Sequence, residues 1–137
     1  MGTIKKSPFK LSQFLIAEFS IKREPLKKGK IEFQINPSGL INRKEKIFLL
    51  QLDVNIKDDT GSFVIQMACN GYFTFKNSES PDTLSNYFYT NAPAIIYPYI
   101  RSYVTAITAL TGLEAVYLPV MNLAGLKDQL MQNIVEA

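Results

Sequence analysis

Histidine and tryptophan are absent from these 137 residues, and cysteine occurs once, at Cys69. Without His the commonest general base and metal ligand is missing, and zinc sites built on four Cys or on paired Cys and His are excluded. A lone thiol closes no internal disulfide, so no oxidising compartment is indicated. No Ser or Thr nucleophile has a His to pair with, and no Gly-rich loop has the spacing of a phosphate cradle. The one pair of adjacent carboxylates, Asp58 and Asp59, sits in a predicted turn, which accounts for both better than acid–base work does. The expectation is a protein that is not an enzyme and needs neither cofactor nor metal.

Charge is also missing where it matters. Between residues 83 and 126 only Arg101 and Glu114 are charged, among seven aromatic residues, whereas residues 1–60 hold twelve of the fifteen Lys and Arg. A chain this short has little interior in which to hide so apolar a stretch, so part of it should be covered by another subunit or left open for a ligand. Residues 92–113 are long enough to cross a membrane, but Arg101, Pro93 and Pro98 argue against insertion. The segment Gly2–Pro8 has no apolar run of signal-peptide length, so a cytoplasmic location is expected.

What is present begins with period-two patterning. Leu15, Ala17, Phe19 and Ile21 alternate with Glu18, Ser20 and Lys22; Ile31, Phe33 and Ile35 form a short second run. Phe48, Leu50, Leu52, Val54 and Ile56 form a third, and Phe63, Ile65, Met67, Cys69, Phe73 and Phe75 a fourth. Lys27, Lys28 and Gly29 fall in the first connection, Asn36-Pro37-Ser38-Gly39 reads as the end of the second strand, and Asp58-Asp59-Thr60-Gly61 as a tight turn. The pattern predicts an α+β fold over residues 1–137: a four-stranded antiparallel meander sheet followed by a main helix and a C-terminal helix.

Helical spacing takes over afterwards. Ser80 caps a short helix with Pro81 and Asp82 in its first turn, and Asn91-Ala92-Pro93 interrupts it. A longer helix, kinked at or beginning from Pro98, runs to about Thr111 and stops at Gly112. Ile96, Ile100, Tyr103, Val104, Ile107 and Leu110 share one face; Arg101, Thr105 and Thr108 lie towards the other. Asn122 caps a last helix with the stripe Leu123, Leu126, Leu130 and Ile134. The basic runs Lys22-Arg23, Lys27-Lys28-Lys30 and Arg43-Lys44-Lys46 are read as solvated loop and edge charges rather than a nucleic-acid surface, since aromatics do not interleave with them. Tyrosines flank the passage from sheet to helix, and clustered hydroxyl-bearing rings suit a groove or interface better than a dry core.

The run Asn-Ala-Pro-Ala-Ile-Ile-Tyr-Pro-Tyr-Ile-Arg-Ser-Tyr at 91–103 resembles the main-helix signature of the SecB export chaperones. Tyr117-Leu118-Pro119-Val120-Met121-Asn122-Leu123 is similar to that family's linker into its last helix, and Asn70–Phe75 to the end of its fourth strand; the likeness spans roughly residues 12–132. It implies a homotetramer, a dimer of dimers packed around the main helix, which holds unfolded or precursor polypeptides in apolar grooves. The implied groove residues are Tyr72, Phe75, Tyr87, Tyr89, Tyr97, Tyr117 and Leu118, and the implied subunit contacts Arg101, Thr105 and Thr108. Family members dock on the motor SecA through acidic sheet residues; here Lys22 and Gln66 stand at two such positions with Glu18 nearby, which predicts weak motor contact. Relatives dedicated to antitoxins make that role an alternative, as is an oligomeric binding module without chaperone activity whose basic face meets an anionic partner.

Overall fold

The computed structural model describes residues 2–25 and 29–137, so Lys27 and Lys28 of the first connection lie outside the described residues. Four long strands come first: β1 (Lys10–Arg23), β2 (Ile31–Asn42), β3 (Ile47–Asp58) and β4 (Phe63–Thr74). Helix α1 (Pro81–Asn86), a π-helical turn (Tyr87–Asn91) and α2 (Ala92–Ala109) follow without a break, then an extended linker, a short 3-10 turn (Leu123–Gly125), α3 (Leu126–Gln132) and a terminal strand β5 (Ile134–Glu136).

The α+β class holds, but the sheet is not a simple meander. Its order is β1-β4-β3-β2-β5, so β1 crosses to pair antiparallel with β4 instead of β2, and β5 adds a fifth strand parallel to β2. Long connections are weakly penalised in free energy, so the pairing follows from which apolar faces match. The residues expected inside from β3 and β4 are inside: Phe48, Leu50, Ile56, Ile65 and Phe73 are all fully buried.

In β1 the alternation is reset. Register shifts lie between Leu11 and Gln13 and between Ile16 and Glu18. A bulge sets two residues against one, so strict alternation fails across it. Phe14 and Ile16 therefore join Phe19 and Ile21 against the core, while Leu15 is 41% exposed.

The turn expected at Asn36–Gly39 is also absent: β2 runs through it without a register shift, and the chain reverses at residues 43–46. Proline is tolerated in a strand where its missing N–H faces an edge. Pro37 is at such a place, its carbonyl instead accepting from Asn133 Nδ2 at 3.4 Å.

Ser80 caps α1 as expected, its Oγ accepting from the Thr83 N–H. The predicted interruption appears as the π turn, in which the Ala92 N–H reaches back to Tyr87 O. Pro93 has no N–H to continue an i→i−4 ladder, and a wide turn before it absorbs the mismatch. Helix α2 thus begins at Ala92, keeps Pro98 inside, and ends before Gly112, whose φ is +88°. After α3, Ile134 leaves the expected stripe of the last helix and enters β5.

Candidate functional site

Helix α2 presents a polar stripe at roughly every fourth residue, and the protein uses it to hold its own linker. Tyr97 Oη donates to Pro119 O (2.7 Å), Arg101 Nε to Leu118 O (3.1 Å) and Thr105 Oγ1 to Val116 O (3.0 Å). Thr108 Oγ1 accepts from Val116 N–H (2.8 Å) while donating to Val104 O (2.7 Å). Spacings of three and four place these side chains on one helix face. The linker therefore lies antiparallel along α2, its polar backbone satisfied by side chains that reach it at the right pitch.

This geometry bears on the expected subunit contact at one of its three residues, while Arg101 and Thr105 remain partly exposed. Thr108 is fully buried and its hydroxyl is engaged within the chain, so it offers a second copy no surface. Arg101 and Thr105 are linker ties. The outward face of α2 carries Pro98, Ser102, Ala106 and Ala109.

Fixing the backbone at 116–119 decides where its side chains go. Leu118 is buried at 3%, whereas Tyr117 and Val120 are 77% and 84% exposed. Tyr117 lines two concavities. One, of about 470 Å³, lies between the linker and Pro98, Ser102 and Ala106 of α2. The other, of about 310 Å³, opens toward the sheet, with Ile31, Phe63 and Val116 in its wall. Ile31 is 46% exposed at the start of β2, and the Phe33 ring meets Tyr97 edge-on at 5.9 Å. The result is a groove with the edge of β2 on one side, the linker on the other and Tyr97 of α2 between them. It is open and mixed in character, since Arg23, Glu24, Asp58 and Glu114 share the sheet-side wall with Ile31, Phe63 and Val116, and no cluster of His, Cys, Asp or Glu fit to hold a metal occurs among the described residues.

The sequence-derived groove set is split by the fold. Tyr97, Tyr117 and Leu118 belong to this groove or to the floor beneath it. Phe75 is core: it is 4% exposed and packs edge-on against Phe88 at 5.0 Å. Tyr72 follows Gly71 and precedes Phe73, both buried, so it projects from the opposite face of the sheet, a placement that alternation already dictated. Tyr87 stacks on Phe9 at 5.0 Å, and Phe9 in turn stacks on Phe73 at 4.7 Å. Tyr89 lies near Arg43 and Glu136; burial first, then the Glu136 charge, raises its hydroxyl pKa. Burial likewise raises that of Tyr97, against the opposing effect of Arg101.

Sequence reasoning did not name as site residues Ile31, which lines the sheet-side concavity, Phe33, whose ring meets Tyr97, or Val120, which is exposed on the linker. For Val120 the signal was present, an apolar residue beside Pro119 in a linker; for Ile31 it was not, because a free edge exists only once the strand order is known.

The outer sheet face holds the residues proposed for motor docking. Glu18 and Asp53 both register with Ala68, one from each side, and line a shallow open concavity with Ser20, Asn55 and Gln66. Lys22 and Lys57 both register with Val64, four residues along. Asp53 is thus an acidic neighbour of Glu18 that was not legible before the register was known. The basic runs prove partly structural. Arg23 Nη1 donates to Thr108 O (3.2 Å) and Thr111 Oγ1 (3.0 Å) at the C-terminal end of α2, and Arg43 clasps Glu136 Oε1 through Nε (3.2 Å) and Nη2 (2.9 Å). Cations are favoured at a helix C-terminus, where carbonyls lack partners.

Comparison with known proteins agrees with this architecture. The SecB-like chaperone of Mycobacterium tuberculosis, solved in complex with an antitoxin peptide, superposes with a TM-score of 0.69 at 15% identity, covering 84% of this chain and 88% of that one. A Streptococcus agalactiae protein of unknown function superposes with a TM-score of 0.51 at 15% identity, covering 82% and 97%. In sequence, an uncharacterised protein of Methanocaldococcus jannaschii is 27% identical over 139 residues, 96% of this chain and 87% of its own length. The protein-export protein SecB of Ehrlichia canis is 26% identical over 118 residues, 78% of this chain and 67% of its own. The family described as preprotein translocase subunit SecB matches residues 16–133, nearly the whole sheet-and-helix body. The chain belongs to the SecB family, a family of protein-export chaperones and not of enzymes.

Proposed function

We propose that this protein is a holdase: it binds unfolded or precursor polypeptides in the groove between the β2 edge and the linker and keeps them from aggregating. The observation that carries this reading is the linker itself. Tyr97, Arg101, Thr105 and Thr108 satisfy its backbone and pin it, while Tyr117 and Val120 stay 77% and 84% exposed. Exposed apolar side chains on a pinned backbone lose little conformational freedom on binding. Broad apolar surface without a fixed pattern of hydrogen-bonding side chains suits many clients. Several such grooves in a homotetramer in the cytoplasm would engage one flexible chain together and raise its overall affinity. The test is suppression of aggregation of a chemically denatured test protein at moderate salt. Suppression at stoichiometric ratio supports holding, and none at large excess refutes it.

A second reading, service to one antitoxin, is favoured by the outer sheet face. Lys22 and Lys57 stand on the same face four residues along from Glu18 and Asp53, so positive charge at one end of this face works against an acid-dependent motor contact. The fold-related mycobacterial chaperone was solved with an antitoxin peptide. Tight, salt-sensitive binding of SecA would favour export; its absence alongside client holding favours the dedicated role.

A further inference from the structure

The helices and the linker cover one face of the sheet, and on the other face the strand register lays side chains out in rows. At the end where β1 and β3 begin, Tyr72 lies between Gln13 of β1 and Leu49 of β3. Leu49 is opposite Leu40 of β2, and Leu40 is opposite Val135 of β5. The flanking rows add Leu15, opposite Asn70, and Ile47, opposite Thr74. Facing residues on adjacent strands are neighbours, and alternate residues share a face. The residues between them, Phe48, Leu50 and Phe73 among them, are fully buried on the helix side. Leu15, Leu40, Ile47, Leu49, Tyr72 and Val135 therefore form one patch, in which Leu15, Ile47 and Val135 are 41%, 37% and 62% exposed. Contiguous apolar surface left open in this way marks a contact site.

Positive charge gathers at the same end. The segments that meet there, residues 2–10, 43–46 and 75–79, carry Lys5, Lys6, Lys10, Lys44, Lys46 and Lys76 against Glu45 and Glu79. Their one Arg, Arg43, is engaged with Glu136. Among the described residues no ion pair holds Lys10, Lys44 or Lys46. The Phe75 N–H donates to Lys46 O (3.1 Å) and Asn77 Nδ2 to Arg43 O (2.8 Å), which ties the β2–β3 turn to the chain leaving β4. Lys10 shares a row with Ile47 through Thr74. The far end of this face is mixed instead, with Lys22 and Lys57 near Glu18, Glu32 and Asp53.

We infer that this corner of the outer sheet face is a docking surface for an anionic lipid bilayer. A second copy stacked face to face would bring the lysines against each other. Folded protein partners are met more often by Arg, whose planar group forms paired hydrogen bonds, and Lys is depleted at such interfaces. A Lys is a point charge on a flexible stem, which suits a diffuse layer of phosphates. Peripheral binding needs apolar burial and a cluster of cations together, because either alone is marginal. The patch supplies both, and the amphipathic ring of Tyr72 suits the headgroup level. No helix is long and apolar enough to cross a membrane, so the contact stays at the surface. The inference does not rest on client holding, and it leaves the groove, on the helix side of the sheet, facing solution.

The probe is a vesicle of phosphatidylglycerol and phosphatidylcholine in equal parts, mixed with the whole chain. Sedimentation should carry the protein down with these vesicles and leave it in solution with phosphatidylcholine alone. Raising the ionic strength from about 0.1 M to about 1 M shortens the screening length from ~10 Å to ~3 Å and should release most of it. A Lys10→Glu, Lys44→Glu double variant should weaken partitioning about tenfold or more, since each Lys near such a surface contributes roughly a factor of five. Lys22→Glu with Lys57→Glu should weaken it far less, because Lys22 lies more than ~20 Å along β1 from Leu15 at ~3.3 Å per residue.

The sequence holds no Trp, so Ile47→Trp places a single fluorophore in the patch and Gln66→Trp one at the far end, both at exposed positions. With anionic vesicles the emission of Ile47→Trp should move to the blue, and that of Gln66→Trp should not. Equal shifts at both positions, equal binding to neutral vesicles, or full binding by the Lys10→Glu, Lys44→Glu variant would each overturn the proposal. A shift of Ile47→Trp that follows protein concentration without vesicles would assign the face to a second copy. A shift with polyglutamate or duplex DNA but not with vesicles would assign it to an acidic macromolecule. Either result also overturns the lipid reading.

Discussion

At the scale of single residues, polar side chains are engaged in fixing backbone. Tyr97 sends its hydroxyl to Pro119 O, and Thr105 its hydroxyl to Val116 O. A Tyr97→Phe, Thr105→Val double variant removes both bonds at nearly constant shape and should cost about 1 kcal/mol per bond. Its signature would be faster hydrogen exchange at 116–120 with the sheet unchanged. Slowed exchange or none would show that the linker is held by Leu118 burial alone. Asp58 organises the β3–β4 turn. Its carboxylate accepts from Ser62 Oγ (2.7 Å), Thr60 Oγ1 (2.8 Å) and the Phe63 N–H (3.2 Å). Led by the Ser62 bond, these hold its pKa below the usual 3.8. A depressed carboxylate stabilises the fold above its unfolded pKa, and that contribution disappears as pH falls through the folded value. Asp58→Asn should therefore lower the melting temperature at neutral pH, and the gap to wild type should close as pH falls through the folded value, on the acid side of the usual 3.8. A gap independent of pH would assign the loss to geometry instead. Cys69 is buried with Sγ 3.6 Å from Leu52 O, and burial pushes its thiol up to about 12. Thiolate is the reactive form. A thiol reagent at pH 8 should then label it only at the rate of unfolding, and rapid labelling of the native protein would contradict that burial.

At the scale of elements, the helices sit where the sheet lets them approach. Gly71 faces Ile96 of α2 so closely that a Cβ there would collide with Ile96 Cδ1 and crowd Phe73. Gly71→Ala should destabilise the protein by about 1–3 kcal/mol, the usual range for overpacking. Denaturant unfolding measures it. An unchanged midpoint would mean that Ile96 moves aside at no cost. The terminal strand shows the same economy of contact: Gly39, whose added Cβ would meet Ile134 Cδ1 and Phe48, lets β5 approach β2. The Arg43–Glu136 clasp then holds β5 from the side, although half-exposed pairs of this kind contribute little by themselves.

At the scale of the whole molecule, two exposed surfaces are candidates for the assembly and the client holding proposed above. The outward face of α2, with Pro98, Ser102, Ala106 and Ala109, offers small side chains along a helix, and Leu110 beyond it is 81% exposed. The start of β2 and the linker expose Ile31, Tyr117 and Val120. An Ala106→Asp variant should lower the oligomeric state seen by light scattering, since it sets like charges against each other across a symmetric contact. A mass identical to wild type would move the subunit contact elsewhere. Replacing Ile31, Tyr117 and Val120 together by Ser should abolish holding and leave the assembly intact. Each such side chain contributes about 1–2 kcal/mol of apolar burial, so single changes should be partly masked by multivalent binding. Changing Tyr72 and Tyr89 in the same way should leave holding unchanged, because Tyr72 faces away from this groove and Tyr89 lies beside Arg43 and Glu136.

The amino-acid sequence determined the class of fold, the inner faces of β3 and β4, the cap at Ser80, the stop at Gly112 and the family. All of these follow from local periodicity or from short runs of residues whose spacing carries the information. Only the tertiary structure decided the strand order, the bulge that turns Leu15 outward, and the passage of β2 through Asn36–Gly39. It also decided that Arg101, Thr105 and Thr108 serve the linker, and that Ile31 stands at an open edge. The physical reason is common to these cases. Hydrogen-bond partners of backbone groups are chosen between segments distant in sequence, so neither a free edge nor a satisfied carbonyl can be read from the residues beside it.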